Sequence, residues 1–199
     1  GQGGSGRLGR DDATGHIGDF AQWIDDLRGF WRDWKAESGA NRPPSGKHVL
    51  IGHSMGGRNS MAFAGNNADK LENLVIVDIG PDLDPRGSER ITQELINVPE
   101  EFDSFEDVYA YQSKQNRFCS ETVLRRRLTY ATKELPNGKL GWRYDLEIRE
   151  QRRNNTGSKQ PDLWVNLPGI KCPVLIVRGS ETDTLALETA EKMVEVLPG

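Results

Sequence analysis

A short apolar strand pattern that runs directly into a glycine-rich turn constrains this chain more than any other feature. Residues 47–52 read Lys-His-Val-Leu-Ile-Gly, residues 53–57 read His-Ser-Met-Gly-Gly, and a helical pattern follows over residues 59–64. Continuous apolar runs of this length are typical of strands that a parallel sheet buries on both faces. The chain is therefore expected to turn from a buried strand into a helix within a few residues, at a place where small residues are needed.

Two further apolar runs, residues 74–79 and 173–177, have the same character. Amphipathic helices are predicted over residues 19–38, where apolar residues recur at steps of three and four, and over residues 185–197. Strand patterns that alternate with helical patterns indicate an α/β fold, with a mostly parallel sheet flanked by helices.

A polar stretch of different character separates the second and third strand patterns. The chain as a whole is 35% hydrophobic with a mean hydropathy of −0.66, and the polar residues are concentrated between residues 82 and 169. Short amphipathic segments within this stretch predict a helical cap inserted into the fold. We therefore assign residues 1–81 and 170–199 to the core and residues 82–169 to a helical cap.

Composition excludes several classes of protein. With 26 Lys and Arg against 30 Asp and Glu, the net charge of −4 offers no surface for nucleic acid. No apolar stretch reaches the ~18–20 residues of a membrane span, and the glycine-rich start does not resemble a signal peptide, so a cytoplasmic location is expected. Cys119 and Cys172 are too few for a disulfide framework and lack metal-ligand spacing. No metal or other cofactor is predicted, and the sequence leaves the oligomeric state open.

The turn after the first strand pattern fits G-x-S-x-G, with Gly52, Ser54 and Gly56 at the defined positions. A tight strand-to-helix turn would present the Ser54 hydroxyl to a base and a substrate carbonyl. We expect Gly52 and Gly56 to be small because the chain crowds itself there, and Gly57 to permit close approach of helix and strand. The Met55 N–H, at the start of the helix, could donate to an oxyanion.

These motifs resemble the α/β-hydrolase fold family over nearly the whole chain. Residues 1–5 look like its G-x-G-x-S loop, and residues 52–57 (Gly-His-Ser-Met-Gly-Gly) look like its nucleophile elbow. Residues 77–81 resemble the end of the next strand, residues 178–183 resemble the loop that carries the acid, and the polar middle corresponds to the cap. The elbow is similar to that of serine esterases and lipases, whereas relatives that open epoxides or carbon–halogen bonds carry Asp at the nucleophile position.

The resemblance implies that Ser54 is the nucleophile and Asp183 the acid that orients a histidine. The order of these partners in the fold is Ser, then Asp or Glu, then His. Two other carboxylates compete for the acid: Asp78 ends the middle strand pattern, and Glu181 lies two residues before Asp183. Asp183 could instead be a helix N-cap or a solvated loop residue.

The chain departs from the family pattern in its histidines, which are His16, His48 and His53. None follows the acid, and we expect His53, next to the nucleophile, to pack or hydrogen-bond near the turn rather than act as the base. The sequence thus reads as an internal portion of a longer hydrolase that lacks the base and part of the oxyanion hole. The chain alone is expected to be inactive on esters.

The function that the resemblance implies is hydrolysis of small-molecule carboxylic esters through an acyl-enzyme on Ser54. An apolar acyl group would lie beneath the cap, where Trp142 and Tyr144 are expected to pack between cap and core rather than contact substrate. The elbow is shared with thioesterases, lysophospholipases, monoacylglycerol lipases and carbon–carbon hydrolases, which remain alternatives. A non-catalytic, ligand-binding homologue of a hydrolase is a further alternative.

Overall fold

The computed structural model of the chain describes residues 47–154 and 161–198, together with Ile24, Arg28, Gly29 and Arg32. The described residues form two compact units. The first unit contains the described residues up to Gln93 and residues 161–198, and the second contains residues 94–154. In chain order the helices and strands are β1 (His48–His53), α1 (Met55–Asn66), β2 (Leu71–Val77), α2 (Pro85–Asn97), β3 (Glu101–Phe102), α3 (Phe105–Gln115), α4 (Glu121–Ala131), β4 (Thr132–Glu134), β5 (Leu140–Trp142), α5 (Glu147–Arg153), β6 (Val174–Val177) and α6 (Leu187–Val196). Short 3-10 helices span Ala68–Lys70 and Trp164–Gly169.

The first unit is built on a parallel sheet with the strand order β1-β2-β6. All three strands overlap the predicted apolar runs, although β2 begins three residues earlier and ends two residues earlier than its run, and the expectation of an α/β fold is confirmed. Leu74 and Ile76 of β2 have no exposed surface and join residues of α1 and α6 in one hydrophobic core. Burial of these aliphatic side chains is the main force that holds the helices to the sheet.

The opposite face of this sheet does not match the prediction of strands buried on both faces. Val49 and Ile51 of β1 are 54% and 67% exposed, and Leu175 and Val177 of β6 are 58% and 42% exposed. The two faces differ because side chains alternate along each strand. The side chains on the same face as Leu74 are buried in the core formed with α1 and α6. The side chains on the opposite face are not part of this core.

Helix α1 follows the turn as predicted, and two asparagine side chains contact carbonyl groups near its end. The Asn66 amide donates to the Ala62 carbonyl at 2.9 Å, and the Asn67 amide donates to the Phe63 carbonyl at 2.8 Å. The last four carbonyl groups of a helix have no N–H partner within it, so the Asn67 side chain satisfies one of them, that of Phe63. Met61 and Phe63 then bury the inner face of the helix in the core.

The second unit combines helices with a small antiparallel sheet of strand order β3-β5-β4. Only helices were predicted here from the sequence. In the structure a turn over residues 136–138 joins β4 to β5. Gly138 has φ +79°, and the Leu135 N–H donates to the Lys139 carbonyl at 2.8 Å. The strands were missed because each has only two or three residues, too few for alternation to be read.

The core of the second unit contains Trp142, which is 6% exposed. Its ring meets Phe102 edge-on with centroids 5.6 Å apart and stacks on Tyr144 at 5.7 Å. The indole N–H donates to the Pro99 carbonyl at 2.8 Å, which satisfies the one polar atom of the ring. Trp142 and Tyr144 therefore pack within this unit, rather than between a cap and a core as expected.

The unit boundaries differ from those proposed for the cap. Residues 82–93 and 161–169 lie in the unit with the parallel sheet, whereas residues 94–154 form the other unit. A cap over residues 82–169 thus stays a prediction. Of the helix predicted over residues 19–38, the structure describes four residues, and all four are helical. The remaining residues of that helix lie outside the described part. Within that part, no helix is long and apolar enough to cross a membrane.

Truncation of a side chain at the centre of the sheet tests this core. Leu74→Ala removes a side chain with no exposed surface, so the free energy of unfolding should fall by about 2–5 kcal/mol through lost burial and the cavity left behind. Leu187→Ala is the matched control in the same unit, because Leu187 is 52% exposed. Its effect should stay within about 0.5 kcal/mol. Chemical denaturation measures both, and equal losses would contradict the described core.

Candidate active site

Ser54 lies between β1 and α1 in a backbone conformation that only the surrounding contacts can maintain. Its φ is 53° and its ψ is −123°, which is unfavourable for a residue with a side chain. The Ser54 N–H donates to the Val77 carbonyl of β2 at 3.3 Å. The Ser54 carbonyl accepts the N–H groups of Gly57 and Arg58, at 2.9 and 3.1 Å. The sheet holds the residue on one side and the first helical turn holds it on the other.

Two of the three glycines at this turn are sterically required. A Cβ at Gly52 would contact the Gly56 carbonyl oxygen and lie 2.5 Å from Ser60 Oγ, and a Cβ at Gly57 would contact Ile79 Cγ2. The prediction that Gly56 is also crowded is wrong, because a Cβ there would meet nothing within 4 Å. Gly56 is part of α1, and the space where its Cβ would lie is open.

The Met55 N–H is the first of α1, and a helix has no internal acceptor for its first N–H groups. The positive end of the helix dipole adds to this donor's affinity for negative charge. Because Met55 directly follows Ser54, this N–H and the Ser54 hydroxyl belong to the same turn. The loop over residues 1–5, which resembles the G-x-G-x-S segment, lies outside the described residues.

Asp78 follows β2 in the same way that Ser54 follows β1. The strand register pairs His53 with Val77 and Val77 with Val177, so Ser54, Asp78 and Arg178 begin three neighbouring loops at one edge of the sheet. Neighbouring strands lie about 4.8 Å apart. Asp78 also has a positive φ, 54°, and its N–H donates to the Val177 carbonyl at 2.7 Å.

Neutral donors from the loop after β6 hold the Asp78 carboxylate. The Gly179 N–H donates to Oδ1 at 3.1 Å, and the Thr182 hydroxyl donates to Oδ2 at 2.8 Å. Thr184 Oγ1 lies 3.1 Å from Oδ2 and 3.1 Å from the Asp78 carbonyl oxygen. The sequence analysis did not identify either threonine, because nothing in the residue types alone shows which carboxylate they would contact.

The Asp183 carboxylate, in contrast, forms an ion pair with a cation. The Arg90 guanidinium of α2 donates through Nε to Oδ2 at 2.5 Å and through Nη2 to Oδ1 at 2.8 Å. Hydrogen bonds from Arg90 hold the pKa of the Asp183 carboxyl below its usual range, and burial opposes them more weakly. The two-point contact turns the Asp183 side chain toward α2.

Arg58 is a buried charge that the sequence analysis did not identify. It is 5% exposed, and its Nη1 donates to the carbonyl oxygens of Gly80 and Pro81 at 3.1 and 2.7 Å. Burial lowers the pKa of its guanidinium, and the negative charge of Asp82 opposes that effect. The residue ties α1 to the loop that begins at Asp78. An arginine within the otherwise small and apolar stretch of α1 is the signal that could have revealed it.

The remaining candidates lie apart from these contacts. Glu181 is exposed in the loop after β6. His53 is also exposed, on the same side of β1 as Val49 and Ile51, so its ring does not pack against the turn as expected. His16 lies outside the described residues. Within residues 47–154 and 161–198, no three His, Cys, Asp or Glu side chains are grouped so as to hold a metal ion.

The sequence matches the family described as serine aminopeptidase S33 over residues 1–198. A 3-hydroxybutyrate-oligomer hydrolase of Cupriavidus necator is 31% identical, over 94% of this chain and 73% of the relative. An esterase of Mycobacterium tuberculosis is 28% identical, over 69% of this chain and 45% of the esterase. The crystal structure of E-2-(acetamidomethylene)succinate hydrolase matches with a TM-score of 0.73 and 22% identity, covering 90% of this chain.

The match extends over 62% of the length of that solved chain, so this chain spans less than two thirds of it. At this identity the structural likeness shows the fold, and the sequence match over residues 1–198 shows the family. Both agree with a parallel sheet flanked by helices. The chain therefore belongs to the serine aminopeptidase S33 family and has the α/β-hydrolase fold.

Proposed function

We propose that the complete protein hydrolyses carboxylic esters through an acyl-enzyme on Ser54. The observation that carries this proposal is the strained turn, in which Ser54 has a positive φ and directly precedes Met55, the first residue of α1. The names of two relatives, a 3-hydroxybutyrate-oligomer hydrolase and an esterase, support the same reaction class.

In the proposed reaction, Ser54 Oγ attacks the ester carbonyl carbon and its proton passes to a histidine base. The carbonyl oxygen becomes an oxyanion, which accepts a hydrogen bond from the Met55 N–H. The tetrahedral intermediate collapses, the C–O bond to the alcohol breaks, and the histidine returns the proton to the leaving alcohol. Water then attacks the acyl-enzyme by the same route and releases the acid. In this fold the base follows the acid in the sequence.

We propose Asp78, rather than Asp183, as the acid that orients this histidine. Asp78 follows the strand next to that of Ser54, in register with it, and its carboxylate is held by neutral donors. Asp183 already forms a two-point ion pair with Arg90. An imidazolium gains most from a carboxylate whose negative charge is not already paired with a cation, and this favours Asp78.

The substrate class follows from the relatives only in outline. The units of a 3-hydroxybutyrate oligomer are linked by ester bonds. We therefore propose to test short oligomers of this kind in addition to simple p-nitrophenyl esters. The family description names an aminopeptidase, and an acyl-enzyme on serine can also form from an amide. Turnover of leucine p-nitroanilide that exceeds ester turnover would assign the protein to that reaction instead.

Removal of the nucleophile tests the reaction class. Ser54→Ala in the complete protein should lower kcat for p-nitrophenyl butyrate by a factor on the order of 10⁴–10⁶, because the acyl-enzyme cannot form. Ser113→Ala is the matched control, since this hydroxyl on α3 donates to the Ala110 carbonyl and should leave the rate unchanged. The enzyme assignment would be overturned if the wild-type protein binds an ester analogue, hydrolyses no ester and is not labelled by a fluorophosphonate.

Amide substitutions distinguish the two carboxylates. Asp78→Asn should lower kcat about 10⁴-fold, because an amide no longer stabilises the imidazolium or fixes its tautomer. Asp183→Asn should lower kcat less than about tenfold, because the ion pair of Asp183 with Arg90 ties its loop to α2 and takes no part in the proposed reaction. Steady-state kinetics of both variants decide between them, and the reverse pattern would make Asp183 the acid.

The Arg90–Asp183 pair also predicts a dependence of stability on pH. Because Arg90 lowers the pKa of folded Asp183, the pair contributes stability above the ordinary carboxyl pKa, about 4. This contribution is lost as the pH falls through the lowered value. Asp183→Asn should therefore lower Tm at pH 7, and the difference from wild type should shrink as the pH approaches 2. Glu181→Gln, at an exposed position, is the control and should show no such trend in Tm.

A further inference from the structure

We propose that Thr182 is a positioning residue, whose hydroxyl holds the Asp78 carboxylate in the orientation needed to bind the histidine base. The inference rests on the proposed function, in which Asp78 is the acid. It comes from hydrogen bonds between the loop after β6 and the residue that ends β2, two segments about a hundred positions apart in the sequence.

The carboxylate is held at both oxygens from one loop. Oδ1 accepts the Gly179 N–H at 3.1 Å, and Oδ2 accepts the Thr182 hydroxyl at 2.8 Å. Rotation about the bond to the carboxyl carbon would break both contacts, so the plane of the group is fixed. An oxygen of an ionised carboxylate has two acceptor positions, and Oδ1 keeps one for an imidazole N–H.

The second threonine determines where the Thr182 hydroxyl hydrogen points. The Thr184 N–H donates to Thr182 Oγ1 at 3.2 Å, and Thr184 Oγ1 lies 2.8 Å from the same oxygen. The Thr184 N–H thus occupies one lone pair of Thr182 Oγ1, and the Thr182 hydroxyl hydrogen points to Asp78 Oδ2 at 2.8 Å. The Thr184 hydroxyl has one hydrogen, and its acceptors within reach are Thr182 Oγ1 and the Asp78 carboxylate and carbonyl oxygens, so it supports Asp78 directly or through Thr182.

Successive side chains of the loop point in alternate directions, and this gives the Asp78 and Asp183 carboxylates different partners. Thr182 and Thr184 face Asp78, whereas Asp183, between them, faces Arg90 of α2. The ion pair anchors one side of the loop while the hydroxyls on the other side hold Asp78. Among the described residues, the donors found on the Asp78 carboxylate are neutral, and the neighbouring Arg178 donates through Nε to the Leu185 carbonyl instead. The negative charge of Asp78 thus remains available to an imidazolium.

The test compares three threonine variants of the complete protein with p-nitrophenyl butyrate as the probe. Thr182→Val keeps the shape but removes the hydroxyl, and should lower kcat about 10- to 100-fold, the usual effect of one hydrogen bond to a charged group. KM should change little, since the hydroxyl acts on the acid and not on the substrate. Thr182→Ser should restore kcat to within about threefold of wild type.

Thr129→Val is the matched control, because its exposed hydroxyl on α4 donates to the Arg125 carbonyl. It should leave kcat unchanged. Tm is measured for every variant, so that unfolding of Thr182→Val is recognised. If Thr182→Val does unfold, Thr184→Val supplies the second measurement, with a smaller loss of kcat expected and rescue by Thr184→Ser.

A double-mutant cycle shows whether Thr182 acts through Asp78. In an Asp78→Asn background, the further change Thr182→Val should alter the residual kcat less than about threefold, since the carboxylate that it holds is gone. Full additivity of the two losses would overturn the inference, as would equal rates for folded Thr182→Val and wild type, or failure of Thr182→Ser to restore the rate.

The same experiments separate this inference from the function it rests on. If Asp78→Asn keeps wild-type kcat, the assignment of the acid fails and the role of Thr182 fails with it. If Asp78→Asn loses kcat but folded Thr182→Val does not, the assignment of the acid stands and only the positioning role is overturned.

Discussion

The hydrogen bonds that continue the parallel sheet one residue past its strands support everything else at this site. The Ser54 N–H reaches the Val77 carbonyl and the Asp78 N–H reaches the Val177 carbonyl, so both residues remain attached to the neighbouring strand while their backbones turn. Each then has a positive φ, which costs on the order of 1–3 kcal/mol. The helix start at Ser54 and the buried Arg58 bonded to the loop after Asp78 supply the compensating interactions, and the glycines at 52 and 57 leave the space that the turn needs.

Two carboxylates near the same edge of the sheet differ in their electrostatic partners. Asp183 meets a guanidinium, so its charge is neutralised locally and its role is to tie the loop to α2. Asp78 meets a backbone N–H and hydroxyl groups, which fix its orientation without cancelling its charge. A carboxylate that must stabilise a cation formed during a reaction needs neutral hydrogen-bond donors of the kind that hold Asp78. The proposed division of roles rests on this difference in partners, which is independent of the position of either residue in the sequence.

Local patterns were sufficient for the elements of the first unit. The three strands, the turn at Ser54 and α1 were predicted because apolar runs and glycine spacing are properties of adjacent residues. Several expectations failed where contacts beyond the local segment decide. Gly56 has open space, the sheet exposes Val49 and Ile51, and the second unit contains short strands. The choice between Asp183 and Asp78 also depends on partners, since Arg90 precedes Asp183 by 93 positions.

The α/β-hydrolase fold and the serine at the turn were predictable from the amino-acid sequence, because a strand, G-x-S-x-G and a helix in direct succession are a local signal. The buried face of the sheet and the groups that meet at its edge were not predictable in this way, because they depend on how the elements pack. The tertiary structure brings Asp78 to Thr182 and sends Asp183 to Arg90, because strand register and loop path place side chains that are remote in the chain within hydrogen-bond distance. Such distances are set by the packing of all the elements together, and no short segment of sequence contains them.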